Sequence, residues 1–172
     1  MLTDILIMVF LVLMSAYFSA TETAFSSLNR TKLRTLAEKG NKRAKAACRL
    51  AEQYDALIST ILIGNNIVNI GVASLGTVLF VRHYGDIGAT LSTIVVTVVV
   101  LIFGEITPKS IAKDCAEKFA MFSAPIITLF MWILKPLSFL FSLWKKMIAK
   151  ALRLENDSKM SQEELLMLVD EV

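Results

Sequence analysis

The chain has 172 residues, 55% of them hydrophobic, a net charge of +3 and a mean hydropathy of +0.62. That apolar share exceeds the ~45–50% of a soluble globular domain and is gathered into long runs, which excludes an ordinary soluble fold and a nucleic-acid-binding class. Cys48 and Cys115 have no CxxC or Cys/His company, so neither a disulfide framework nor a zinc site is expected.

The first run, about residues 3–28, begins after Asp4 without a basic leader, and its basic residues follow it. This order argues against a cleavable signal peptide and places the N-terminus outside. Past Met14 the run turns polar. Ser15, Ser19, Glu22 and Ser26 recur at helical spacing on one face, and Ala16, Ala20 and Ala24 make a thin stripe beside it. The plainer alternative for each serine is a hydrogen bond to its own backbone.

Residues 29–55 are too charged for a bilayer. Arg30, Lys32, Arg34, Lys39, Lys42, Arg43, Lys45 and Arg49 outweigh Glu38, Glu52 and Asp55, so the segment reads as cytoplasmic amphipathic helices broken at Gly40-Asn41. No aromatic residue interleaves before Tyr54, which argues against nucleic acid as a partner.

The second run, about 56–81, opens after a cap at Asp55 and holds Gly64-Asn65-Asn66-Ile67-Val68-Asn69 near its middle. Asn65 and Asn69 lie one turn apart on one face, Gly64 permits close approach, and Asn66 points elsewhere. A tight turn at Arg82 to Asp86 leads into the third run, about 87–111, as an antiparallel neighbour.

The third run carries Gly104-Glu105-Ile106-Thr107-Pro108-Lys109. An acid at bilayer depth costs roughly 2.5–3.5 kcal/mol on insertion scales, so Glu105 needs a proton, a partner or a cation. Pro108 has no N–H, which in an α-helix frees the Gly104 carbonyl. The simpler alternative is a helix end with Glu105 snorkelling to the interface.

Residues 119–144 could span, but basic residues flank both ends, and Pro125 and Lys135-Pro136 break the run into two pieces. They are expected to rest as re-entrant or belt helices in the inner leaflet. Residues 155–172 read as a cytoplasmic linker helix opened by a capping box at Ser161-Gln162-Glu163-Glu164, with a soluble continuation expected beyond Val172.

At ~1.5 Å rise per residue in a ~30 Å core, the polar groups of three crossings meet between the midplane and the cytoplasmic face. Hydroxyls, amide oxygens and a carboxylate, with no thiol or imidazole, suit magnesium, calcium, manganese or sodium. No nucleophile/base pair, histidine cluster or phosphate loop is present, so an enzyme is not expected. The fold class that follows is an all-α integral membrane domain over residues 1–154, three transmembrane helices with juxtamembrane belt helices.

At Ser15-Ala-Tyr-Phe-Ser19-Ala-Thr-Glu22-Thr-Ala24, Ile63-Gly64-Asn65-Asn66-Ile67-Val68-Asn69 and Phe103-Gly104-Glu105-Ile106-Thr107-Pro108-Lys109, the chain resembles the transmembrane domain of the CorC / cyclin M (CNNM) family of magnesium transporters. The resemblance implies a homodimer in the cell (inner) membrane, with the C-terminus cytoplasmic and followed by a nucleotide-binding CBS-pair domain. It implies magnesium export by alternating access, coupled to sodium entry. The ion site would map onto Ser15, Ser19, Asn65, Asn69, Glu105 and the Gly104 carbonyl, with Glu22 as an additional candidate and Gly64 and Pro108 as structural or hinge positions. A membrane-embedded cation sensor or scaffold that regulates a partner transporter is the competing class. The alanine stripe and the belt are the candidate dimer surfaces.

Overall fold

The computed structural model describes residues 2–137, with 143–144 and 147–148 beyond them. By packing, the chain divides into Met1–Lys135 and Pro136–Val172, and everything below concerns the first unit. The later part of the expected belt and the linker helix at 155–172 lie outside the described residues.

Helix α1 (Leu2–Ser27) leaves Leu6, Phe10 and Leu13 exposed on its first half and buries Ser15, Phe18, Ser19, Thr21 and Ala24 on its second. A rod with large apolar groups outside and hydroxyls inside is the reverse of a soluble core, and it fits a lipid surround. Asn29 then caps α2 (Arg30–Glu38) by accepting from Lys32 N at 3.0 Å. Gly40, at φ +89°, makes the break foreseen at Gly40-Asn41, and Asn41 caps α3 (Lys42–Glu52) by accepting from Arg43 N and Ala44 N.

The stretch from Tyr54 to Asp114 is 61 residues long, about three times the ~20 that one bilayer crossing needs. It folds back on itself. Helix α4 (Tyr54–Tyr84) ends at Gly85, a single 3-10 turn (Gly85–Ile87) follows, and α5 (Gly88–Val99) returns beside it. The register is antiparallel: Gly88 lies against the Phe80 backbone, Gly76 against Ser92 and Val96, and Asn69 against Glu105. Asp55 is not the cap expected of it, because α4 starts at Tyr54 with Gln53 in the cap position, and the carboxylate falls in the first turn.

The third crossing departs from a plain α-helix. After α5 the chain widens into a π-helical segment, Val100–Ile106, before resuming as α6 (Thr107–Asp114) with Pro108 in its first turn. Such turns hold one extra residue and re-aim the side chains around them.

Helix α7 (Ala116–Ile133) is continuous through Pro125, which corrects the expected break there. A proline removes one intrahelical bond, but the packing of Ala120, Ala124 and Ile127 holds the rod together, and the helix stops at Leu134, ahead of Lys135-Pro136. Tyr17 lies 6.5 Å from both the Phe119 and Phe130 rings and donates its hydroxyl to Ser123 O at 3.1 Å. By length and composition α7, expected to form part of a belt, is itself apolar enough to cross a membrane. Ala20 and Ala24 of the thin stripe share one core with Ala112, Ala116, Ala120 and Ala124, so they pack within the chain and offer no surface to a second copy.

Candidate metal centre

The hydroxyls of α1 sort into two groups. Thr21, Thr23 and Ser26 donate to backbone carbonyls one turn back, which for Ser26 is the plainer alternative foreseen for the serines. Ser15 and Ser19, both fully buried, do not. Ser15 Oγ donates across to Asn65 Oδ1 of α4 at 3.0 Å. A methyl group added to Gly104 would stand only 3.0 Å from that same Oγ, so the absence of a side chain there lets the third crossing close onto Ser15. Ser15 is thus where all three crossings touch.

One turn along α4 from Asn65, Asn69 Nδ2 donates to Glu105 Oε1 at 3.4 Å. The bond turns the carboxylate toward the cluster and uses the donor half of the amide, leaving Asn69 Oδ1 as an acceptor. That oxygen and Ser19 Oγ are both buried and have no hydrogen-bond partner. A buried polar atom left unpaired costs on the order of 1–3 kcal/mol, so each of the two calls for a partner.

The backbone adds to this. Thr107 N–H is given to Ile102 O in the π register, and Pro108 has no N–H to give. The Phe103 and Gly104 carbonyls therefore lose donors just where the register changes, whereas the sequence pointed to Gly104 alone. Ser15 and Ser19 are buried and Asn65, Asn69 and Glu105 half-buried; Ser15 touches Asn65 and stands against Gly104, Asn69 touches Glu105, and Ser19 lies one turn of α1 beyond Ser15. The buried atoms of that set left without a partner, Ser19 Oγ and Asn69 Oδ1, are both oxygens. No group of three or more His, Cys, Asp or Glu residues is present among the described residues, so the donors suit a hard cation and not zinc or copper.

The remaining candidates have other partners. Glu22 Oε2 receives Lys109 Nζ at 3.3 Å. Gly64 faces the Phe18 ring, whose Cζ would be 2.5 Å from an added methyl, so it is a packing position between α1 and α4. Asn66 is exposed and bonds Leu62 O, pointing away as expected without gluing helices. A cleft of about 700 Å3 between α2 and α3 is lined by Arg30, Arg34, Glu38, Lys45 and Cys48 and lies outside the crossings. The π turn is the feature missed from sequence, and its only trace is the Gly-Glu-Ile-Thr-Pro order itself.

These observations define a polytopic α-helical membrane domain with a buried oxygen-lined cluster. The chain belongs to the family described as the cyclin M transmembrane N-terminal domain, whose model matches residues 6–172. It is similar to a "UPF0053 protein" of Haemophilus influenzae, 42% identical over 98% of this chain and 41% of the relative. It is also similar to the "UPF0053 inner membrane protein YfjD" of Escherichia coli, 40% identical over 91% of this chain and 38% of the relative. A "Polyamine export protein" of Haemophilus influenzae is 26% identical over 96% and 42%. The chain spans about two fifths of the length of these curated relatives.

Proposed function

We propose that this domain carries magnesium across the cell (inner) membrane by alternating access, exporting it against entering sodium. The observation that supports it best is the buried, unpartnered Asn69 Oδ1 on the side chain that holds the Glu105 carboxylate, with a second such oxygen, Ser19 Oγ, one turn of α1 from Ser15. Glu105 supplies the charge. Asn69 holds that carboxylate through its amide N–H, and Ser15 is held by Asn65, so little has to reorganise when a cation arrives. A largely neutral oxygen set with one acid binds a divalent ion and still releases it. In this reading the N-terminus is outside, the basic α2–α3 segment is cytoplasmic, and the protein works as a homodimer with a CBS-pair domain in its soluble part.

The polyamine exporter among the relatives favours a second cargo, an organic polycation. Its several ammonium groups call for several spaced acids, whereas here Glu105 stands alone in the cluster and Glu22 is taken by Lys109. Magnesium fits better. A sensor or scaffold role differs from both in binding without flux.

The test is full-length protein in liposomes loaded with a magnesium-sensitive dye, with spermidine as the competing cargo. Glu105→Gln and Asn69→Ala should each abolish magnesium flux while the melting temperature without magnesium stays within a few degrees. Unchanged flux in both variants removes these ligands from the mechanism. Magnesium binding without any flux in the wild type selects the sensor.

A further inference from the structure

The ion pair between Glu22 and Lys109 is not used by the oxygen cluster, yet it adjoins it. Glu22 lies three residues beyond Ser19 on α1, and Lys109 lies four beyond Glu105 on α6. Each is about one helical turn from a cluster member, and both turns lead toward the end where α2 begins. Lys109 Nζ and Glu22 Oε2 are 3.3 Å apart, so the pair bridges α1 and α6 directly beside the cluster on that side. Exposure changes sharply over that turn. Ser19 is 0% exposed, whereas the Glu22 and Lys109 side chains are 31% and 42% exposed. Along α1 the pair stands just past the buried Ser15 and Ser19, on the more exposed side.

Resting on the magnesium reading above, we infer that Lys109 is a tethered counter-cation that occupies Glu22 between transport cycles, and that a divalent ion reaching the cluster from the α2 end displaces it. Glu22 is then the first carboxylate the ion meets, and Lys109 is the positioning residue that keeps it closed to lesser cations. The chemistry of the partners suits exchange. A half-exposed ion pair of this kind is weak, so it opens readily. The lysine charge is a compact point on a long flexible stem, which can swing aside, whereas a guanidinium would grip the carboxylate at two points. A divalent ion brings twice the charge to the same oxygen.

The experiment measures magnesium binding to the detergent-solubilised full-length protein by calorimetry, with flux in liposomes as the second readout. Lys109→Met keeps the stem and deletes the competitor, so magnesium should bind about 2- to 5-fold more tightly, the factor an ion pair of this exposure commands. Lys109→Arg should bind about 2- to 5-fold more weakly, for the bidentate reason, and transport more slowly. Unchanged or weaker binding in Lys109→Met overturns the inference. Should that variant fail to fold, Lys109→Arg decides alone, and wild-type or tighter binding by it overturns the inference equally. Glu105→Gln separates the two claims: if it binds magnesium like the wild type, the cluster is not the site, whatever Lys109 does.

Discussion

Gly64→Ala tests a close contact between α1 and α4. The added methyl would stand 2.5, 2.8 and 2.9 Å from Cζ, Cε1 and Cε2 of Phe18, against roughly 3.5–4.0 Å for ordinary carbon contact. The ring must therefore retreat by about 1 Å. It has little room, being 1% exposed and set edge-on to Tyr17 at 5.6 Å and Phe130 at 5.1 Å. Overpacking of this kind costs about 1–3 kcal/mol. Against it, alanine gains ~1 kcal/mol of helix propensity over glycine. The clash should win, with a net loss of up to about 2 kcal/mol. In a Phe18→Leu background the offending ring atoms are gone, so the same alanine should become neutral or stabilising by up to ~1 kcal/mol. Reversible unfolding in mixed micelles, run as a double-mutant cycle, reads both numbers. If Gly64→Ala stabilises the protein with Phe18 in place, or costs the same in both backgrounds, then α1 and α4 are not in contact here.

Further predictions follow from single atoms. Ser19→Ala removes a buried unpaired hydroxyl, so the magnesium-free protein should melt at the same temperature or higher while the upward shift caused by added magnesium shrinks; differential scanning fluorimetry with and without magnesium checks both. Gly88→Ala would push a methyl to 2.5 Å from the Phe80 carbonyl oxygen, a backbone atom, and should destabilise the hairpin by ~1–3 kcal/mol. Gly85, at φ +62° and ψ −139°, has open space around it but sits in a backbone conformation that glycine alone adopts readily, so Gly85→Asn should also cost about 1–3 kcal/mol in the same unfolding assay. Glu117 accepts from Asn29 N at 3.3 Å and Lys32 Nζ at 3.1 Å, so Glu117→Ala should lower stability by less than about 1 kcal/mol, and the difference should fade in 1 M salt, where screening acts within ~3 Å.

What the sequence determined by itself is whatever depends on one helix and its solvent. The length of the apolar runs, the cost of Glu105 among valines, the one-face spacing of Ser15 with Ser19 and of Asn65 with Asn69, and the break at Gly40-Asn41 are all local, and each is present in the structure. What only the tertiary structure decided is which neighbour each group meets. Ser15 finds Asn65 while Ser26, on the same rhythm, turns back to its own helix, and Glu22 joins Lys109 instead of the oxygens. Pro125 is carried inside α7 by the packing around it, and Ala20 and Ala24 of the alanine stripe are taken into the chain's own core. The π turn belongs to the same class: an extra residue in the third crossing costs hydrogen-bond geometry locally and is repaid only by the fit of Gly104 against Ser15 and Glu105 against Asn69, contacts to two other helices that helical periodicity does not encode.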